Sequence, residues 1–179
     1  ACCATLQSDA VIEADIEDEP DAQVIAVRDF AAKVLRIEQL TPTIKALHLQ
    51  LDAPIQYQAG QYVQVEIPTL GQSRAFSIAN APDESGHAQE IELNVRMVPG
   101  GAGTSWLHES LKEGDTLRIA GPYGRFFVRH SAAQPMVFMA GGSGLSSPRA
   151  MIQELLARDA AQPITLIYGQ RSREELYYD

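Results

Sequence analysis

The residues Arg74, Ala75, Phe76 and Ser77 form the segment whose side chains are best suited to chemistry. Side chains alternate along a strand, so Arg74 and Phe76 would share one face and Ser77 the other. An arginine can bind a pyrophosphate through two parallel hydrogen bonds, an aromatic side chain can flank a flat ring, and a hydroxyl can bond to a ring nitrogen. Taken alone, the four residues fit better an edge strand with an arginine at its surface and a phenylalanine in the core.

A second candidate is the glycine-rich segment 99–105, which leads into a short predicted helix from Ser105 to Leu111 with Thr104 or Ser105 as its N-cap. The first N–H groups of a helix lack carbonyl partners and attract anions. The plain alternative is a glycine hairpin loop. A tight turn, Gly121-Pro122-Tyr123-Gly124, follows further along the chain.

The third candidate is a glycine loop between an apolar strand and a helix. Residues 135–140 are continuously apolar, which is typical of a parallel strand covered on both faces. Ser147 and Pro148 suit the N-cap and first position of the helix, and a second apolar strand runs from Ile164 to Tyr168. This order predicts a βαβ unit of a doubly wound nucleotide-binding domain. The loop itself consists of Gly141, Gly142, Ser143 and Gly144.

The elements around these segments divide the chain in two. Short alternating strands separated by turns fill residues 27–130 and predict an antiparallel barrel or sandwich, and the pattern changes near residues 131–134. The formal net charge is −9, but seven acidic residues and no Lys or Arg lie within residues 1–27, which leaves −2 for the rest. The sequence lacks the basic footprint that nucleic-acid binding needs, and no apolar run approaches the length of a membrane span.

These segments in this order resemble the ferredoxin–NADP reductase superfamily. Its flavin-binding barrel carries an R-x-(Y/F)-S strand, a later G-x-x-(S/T) helix start and a G-P-(Y/F)-G turn, and its nicotinamide domain opens with G-G-(S/T)-G. The resemblance covers about residues 27–179. It implies a mostly β plus α/β fold, with an antiparallel Greek-key barrel that binds FAD at 27–131 and the first part of a doubly wound NAD(P)-binding domain at 132–179.

The resemblance also implies roles for single residues. The FAD pyrophosphate would be bound by Arg74 and by the Ala102, Gly103 and Thr104 segment, while Ala75 and Phe76 would lie along the cofactor, with Phe76 packed on the isoalloxazine. Ser77 would sit near flavin N5 and assist hydride transfer, as the one catalytic residue. The nicotinamide dinucleotide would be bound by Gly141, Gly142, Ser143 and Gly144.

The choice between NADH and NADPH stays open on the residues alone. The loop has Ser147 where the general dinucleotide fingerprint has its third glycine, and no acidic residue ends the second strand. Arg171 and Arg173 would favour a 2′-phosphate, whereas Glu174 and Glu175, which follow them, argue against it.

Residues 1–26 resemble the C-terminal tail of a plant-type 2Fe–2S ferredoxin domain followed by an acidic linker. In that domain the fourth cluster cysteine lies seven residues before a Ser-Asp pair, which here implies Cys2 as a cluster ligand and Cys3 as its packed neighbour. The acids from Glu13 to Asp21 fit either a solvated linker edge or part of a docking surface.

The full order resembles the reductase components of bacterial aromatic oxygenases, most of all those of the phenol hydroxylase type. That implies a cytoplasmic protein passing electrons from NADH, or NADPH, through FAD to a 2Fe–2S centre and then to a hydroxylase component. Hydride donors deliver two electrons, iron–sulfur centres accept one, and a flavin connects them. Two other hypotheses remain: a flavin-binding module without turnover of its own, and an electron-transfer subunit of a different dehydrogenase.

Overall fold

The computed structural model describes residues 7–9, 11 and 19–178. Cys2, the predicted cluster ligand, lies outside the described residues, as do Cys3 and the acids from Glu13 to Asp18. The eight strands are β1 Arg28–Gln39, β2 Ile44–Gln56, β3 Tyr62–Ile67, β4 Gln72–Ser77, β5 His87–Arg96, β6 Thr116–Tyr123, β7 Met136–Gly141 and β8 Ile164–Gly169; the helices are α1 Ala102–Glu109 and α2 Ser146–Ala157, with 3₁₀ turns at Gly142–Leu145 and Arg173–Glu175.

The first six strands form one antiparallel sheet in the order β4-β3-β6-β1-β2-β5. The sheet curls so that its two edges approach each other. A bridge between Ile78, just after β4, and Leu93 of β5 joins them. Closure of this kind protects strand edges and encloses a core. The predicted antiparallel barrel, followed by the start of a parallel sheet, is confirmed.

The barrel core is built from the inward faces of the strands. Alternating burial along β3, where Val63, Val65 and Ile67 are fully buried, shows the period of two that its sequence predicts. Helix α1 closes the barrel with Leu107, and Trp106 packs beside it against the same core.

The second unit is the parallel pair β7 and β8 connected by α2. Helix α2 buries Ala150, Met151 and Leu155 against one face of this pair. The prediction that β7 is covered on both faces is wrong for the described residues, because Val137 is 63% exposed and Met139 75% exposed. The helix also begins at Ser146 rather than after Ser147, since the glycine loop tightens into a 3₁₀ turn that continues directly into α2.

Residues 19–23 lie as a strap against the segment 125–131, which connects the barrel to the second unit. Glu19 pairs with Arg125 and Arg129, and the Ser131 N–H donates to the Asp21 carboxylate at 3.1 Å. Hydrogen bonds from Ser131 hold the pKa of Asp21 below its usual range. Glu19 and Asp21 thus contact their own chain, and the two alternatives for the acidic run as a whole stay predictions.

Candidate functional site

The first two sequence candidates meet in one cleft of about 310 Å³. Strand β4 supplies one wall and the start of α1 the other, although about 25 residues of chain separate them. The barrel brings them together because β5 leads into α1 beside the curled edge where β4 lies. The lining residues are Arg74, Ala75, Phe76, Val98, Gly101, Ala102, Gly103 and Thr104.

On the strand wall, Arg74 is exposed and Phe76 is half-buried against the barrel core. The Arg74 guanidinium donates to the Ser73 carbonyl at 2.9 Å and to Gln72 Oε1 at 3.1 Å, so its contacts in this structure are local. Both bonds are replaceable by bonds to an anion in the cleft. Ser77 is absent from the cleft lining; it pairs with Tyr62 of β3 and directly precedes the barrel-closing bridge.

On the helix wall, α1 begins three residues earlier than the sequence predicts, with Gly101 as its N-cap. The predicted caps are wrong because the Thr104 hydroxyl accepts from the Val98 N–H and donates to the Gly101 carbonyl, both at 3.1 Å. These bonds fold the loop tightly onto the first turn. The N–H groups of Ala102, Gly103 and Thr104 thus occupy the first turn, where a helix offers no carbonyl partners.

A Cβ placed on Gly103 would lie about 3.5 Å from Arg74 Cγ, an ordinary van der Waals distance. The two walls of the cleft are therefore close together at this point. Gly101 is more restricted, since its Cβ would lie 2.9 Å from Thr104 Oγ1 and 3.0 Å from the Val98 carbonyl. The cleft therefore combines an exposed guanidinium, an aromatic side chain and a row of backbone N–H groups. That donor set suits an elongated anion with a flat apolar end.

The third candidate, the glycine loop, opens on a separate pocket of about 220 Å³. Gly141 and Gly142 line it, whereas Ser143 and Gly144, further along the same 3₁₀ turn, are not among its lining residues. Gly142 has a φ of +56°, a conformation that favours glycine. The pocket lies at the carboxyl ends of β7 and β8, the edge at which open parallel sheets bind their ligands.

The other walls of this pocket come from both units, and of their residues only Arg171 and Glu175 were considered from the sequence. The residues of these walls are Ile44 and Arg96 of the barrel and Gly169, Gln170, Arg171 and Glu175 of the second unit. Hydroxyl donors from Thr43 and Thr41 hold the Glu175 carboxylate in place, at 2.7 and 2.8 Å, and lower its pKa. No local motif marks Ile44 and Arg96, because their proximity to the loop depends on how the two units pack.

A buried polar cluster at the junction was also missed. Glu92 and Asn94 on β5 are 7% and 5% exposed. Arg149 of α2 pairs with Glu92 at 3.0 Å, and the Tyr178 hydroxyl contacts both Glu92 and Asn94. The Asn94 Nδ2 has no hydrogen-bond partner among the described residues. The alternating sequence of β5 predicts a solvated polar face, but α2 and Tyr178 cover it.

The turn Gly121-Pro122-Tyr123-Gly124 has mainly a packing role in this structure. Gly121 lies against Val63, where a Cβ would come within 2.7 Å, and the Tyr123 ring stacks on Tyr62 with centroids 5.5 Å apart. Gly124, with a φ of +99°, leaves room for the same Tyr62 ring. The turn thus fixes the end of β6 beside β3.

Comparison with known proteins agrees with this architecture. The oxidoreductase FAD-binding domain family matches residues 31–128. The phenol hydroxylase P5 protein of Acinetobacter pittii (strain PHEA-2) is 52% identical over 99% of this chain, and the phenol 2-monooxygenase reductase component DmpP of Pseudomonas sp. (strain CF600) is 50% identical over the same share. The chain spans 49% of the length of each.

Among solved structures, the cytochrome P450 reductase GcoB of Amycolatopsis superimposes with a TM-score of 0.80 and 34% identity, over 87% of this chain and 47% of that one. Phthalate dioxygenase reductase shares the fold, with a TM-score of 0.74 at 23% identity, over 83% and 46% of the two chains. No helix among the described residues has the length and apolar character needed to cross a membrane. The family match spans more than half of the chain, and the expected resemblance is confirmed: this chain belongs to the oxidoreductase FAD-binding domain family.

Proposed function

We propose that this chain is the flavin- and nicotinamide-binding part of a reductase that supplies electrons to an aromatic hydroxylase. The observation that carries the proposal is the cleft in which the β4 wall and the α1 wall face each other. Family membership supports FAD as its ligand, and the phenol hydroxylase relatives support the class of reaction.

The residues of the cleft fit FAD chemically. Its pyrophosphate would be held by the Arg74 guanidinium and by the N–H groups of Ala102, Gly103 and Thr104, because a charged fork and a helix start both favour a dianion. Phe76 and Ala75 would lie along the cofactor. The Thr104 hydroxyl, which is occupied in holding the loop, would contribute mainly by shaping this wall.

The bound flavin would supply the exchange between two-electron and one-electron chemistry. Ser77, the last residue of β4, would be the catalytic residue beside the cleft. The glycine loop of Gly141, Gly142, Ser143 and Gly144 would bind the nicotinamide dinucleotide. The protein's contribution to hydride transfer would then be to bind and align two rings, since orientation alone supplies much of such a barrier reduction.

In the whole protein, residues 1–26 would end a ferredoxin-like domain and provide Cys2 as a ligand of a 2Fe–2S cluster, residues 27–131 would form the FAD domain, and residues 132–179 would begin the nicotinamide domain. The electrons would come from NADH, with NADPH as the alternative donor. They would pass to the hydroxylase component of a multicomponent system in the cytoplasm.

Anaerobic mixing of the full-length, FAD-loaded protein with NADH tests this function. We expect the flavin absorbance near 450 nm to bleach within seconds, followed by reduction of an added one-electron acceptor. A protein that binds FAD but does not bleach would be a flavin-binding module without turnover. A protein that takes up no FAD would contradict the proposal at its first step.

A further inference from the structure

One ion pair with a buried carboxylate connects the two units beside the predicted hydride-transfer residue. Arg149, in the first turn of α2, donates to the Ala79 carbonyl at 2.6 Å and to Glu92 Oε2 at 3.0 Å. The Arg149 side chain is 21% exposed and that of Glu92 only 9%. The Arg149 guanidinium also lies 4.0 Å from the centre of the Tyr178 ring.

The pair is close to Ser77 along the backbone. Ala79 is two residues beyond Ser77, and its N–H donates to the Glu92 carbonyl at 2.8 Å. Between them, Ile78 bridges to Leu93, the neighbour of Glu92. Arg149 therefore holds, from the side of the second unit, the same short stretch of barrel that places Ser77.

Along the chain, Arg149 lies a few residues after the glycine loop. The loop continues without interruption through the 3₁₀ turn Gly142–Leu145 into α2 at Ser146. A displacement of α2 relative to the barrel would therefore move the loop and Ser77 apart. Two neutral contacts act nearby: Ser147 donates to the Gly60 carbonyl at 3.0 Å, and the Ala81 N–H donates to Gln153 Oε1 at 3.2 Å.

The ion pair differs from these neutral contacts in one respect. A buried charge without its partner is strongly unfavourable, so the pair permits few arrangements of α2 on β5. Neutral hydrogen bonds are more easily exchanged with water when a helix shifts. Among these contacts beside Ser77, the charged pair is thus the one best able to impose a single geometry on α2 and β5.

We infer that Arg149 and Glu92 are positioning residues that set the alignment of the nicotinamide with the flavin. The inference rests on the proposed function and specifies which contact maintains its geometry. Hydride transfer needs reacting atoms about 3–3.5 Å apart, and a displacement of about 1 Å costs about 100-fold in rate. Loss of the pair should therefore lower the rate of hydride transfer without removing the flavin.

The experiment compares Arg149→Met, Glu92→Gln and the wild type as full-length, FAD-loaded proteins. The matched control is Arg158→Met, which removes the ion pair of the exposed Arg158 side chain with Glu154 at the other end of the same helix, while His130 still contacts Glu154. Three quantities are measured: the FAD content, the limiting rate of flavin reduction at saturating NADH, and the rate at which ferricyanide oxidises the chemically reduced flavin. The last rate does not involve the nicotinamide.

For Arg149→Met we expect the limiting reduction rate to fall about 100-fold, with FAD content and ferricyanide oxidation within twofold of the wild type. Glu92→Gln, whose side-chain oxygen still accepts from Arg149, should lose about 10-fold, and Arg158→Met should match the wild type. If Arg149→Met loses its FAD, Glu92→Gln decides the question.

A limiting rate within twofold of the wild type in both junction variants would overturn the inference. So would a change confined to the NADH concentration needed for half-maximal rate, because that result indicates binding rather than alignment. Failure of the proposed function is distinguishable, since the wild type itself would then lack FAD or fail to bleach.

Discussion

Replacement of Arg74 by alanine is the most informative single perturbation of the cleft. The side chain is exposed, and its two hydrogen bonds are to its own strand, at 2.9 and 3.1 Å. Surface substitutions of this kind usually change stability by less than about 0.5 kcal/mol. The Arg74→Ala variant should therefore fold normally, so that a change in FAD affinity can be assigned to the lost guanidinium.

The expected loss of FAD affinity follows from the hydrogen bonds that Arg74 exchanges when FAD binds. A hydrogen bond between a charged donor and a phosphate oxygen contributes about 1.5–3 kcal/mol. Arg74 gives up weaker bonds to the Ser73 carbonyl and the Gln72 amide when it turns to the cleft, which offsets a second bond to the pyrophosphate. The net loss of about 1.5–3 kcal/mol corresponds to a dissociation constant raised about 10- to 150-fold.

The assay is a titration of apoprotein with FAD, followed by quenching of flavin fluorescence at two ionic strengths. Arg118→Ala is the matched control, because Arg118 is a barrel arginine whose side chain is 79% exposed and whose ion-pair partner is Glu66 rather than a cleft residue. Arg74→Lys should lie between the wild type and Arg74→Ala, since lysine keeps the charge but not the planar fork.

Equal dissociation constants for Arg74→Ala and the wild type would refute the assignment of Arg74 to the pyrophosphate. An equal loss in Arg118→Ala would also refute it, because the effect would then come from overall charge. A weakening that vanishes at high salt would point to long-range attraction instead of direct contact.

Three further perturbations test the junction, the strap and the core. Gly60→Ala should lower the free energy of unfolding by about 2 kcal/mol in a denaturant titration, because Gly60 has a φ of +104° and its Cβ would collide with the Phe126 carbonyl. In thermal scans at pH 7, Asp21→Asn should be less stable than the wild type, because hydrogen bonds from Ser131 lower the pKa of Asp21 in the folded state. The difference in stability should shrink as the pH falls below about 4, the unfolded-state pKa, and disappear below the lowered folded-state pKa. Leu93→Ala, at a fully buried position beside the closing bridge, should cost about 2–5 kcal/mol by denaturant titration.

The strand and helix walls of the cleft were predictable because each depends on local chemistry. The period of two along β4 places Arg74 and Phe76 together, and a glycine-rich run before an apolar helix marks a helix start. Where α1 begins was not predictable, because it depends on the Thr104 hydroxyl folding back onto Gly101. Capping rules assign such a hydroxyl to the cap, whereas here it lies inside the first turn.

The junction between the barrel and the second unit shows a second limit of prediction from the sequence. In β5, Glu92 and Asn94 alternate with apolar residues, and this pattern ordinarily marks a face in contact with water. Their burial depends on α2, which follows β5 by about 50 residues and supplies Arg149 as the charge partner. A single sequence carries no signal for such a long-range pair. The family resemblance identified the site segments but equally gave no indication of this contact.

The central claim is that FAD binds between β4 and the start of α1. Backbone amide hydrogen exchange of this chain, with and without one equivalent of FAD, tests it most directly. We expect exchange to slow at least 10-fold at the N–H groups of Ala102, Gly103 and Thr104 and to slow in the segment around Arg74. Unchanged exchange at both walls in a chain that has bound FAD would contradict the claim.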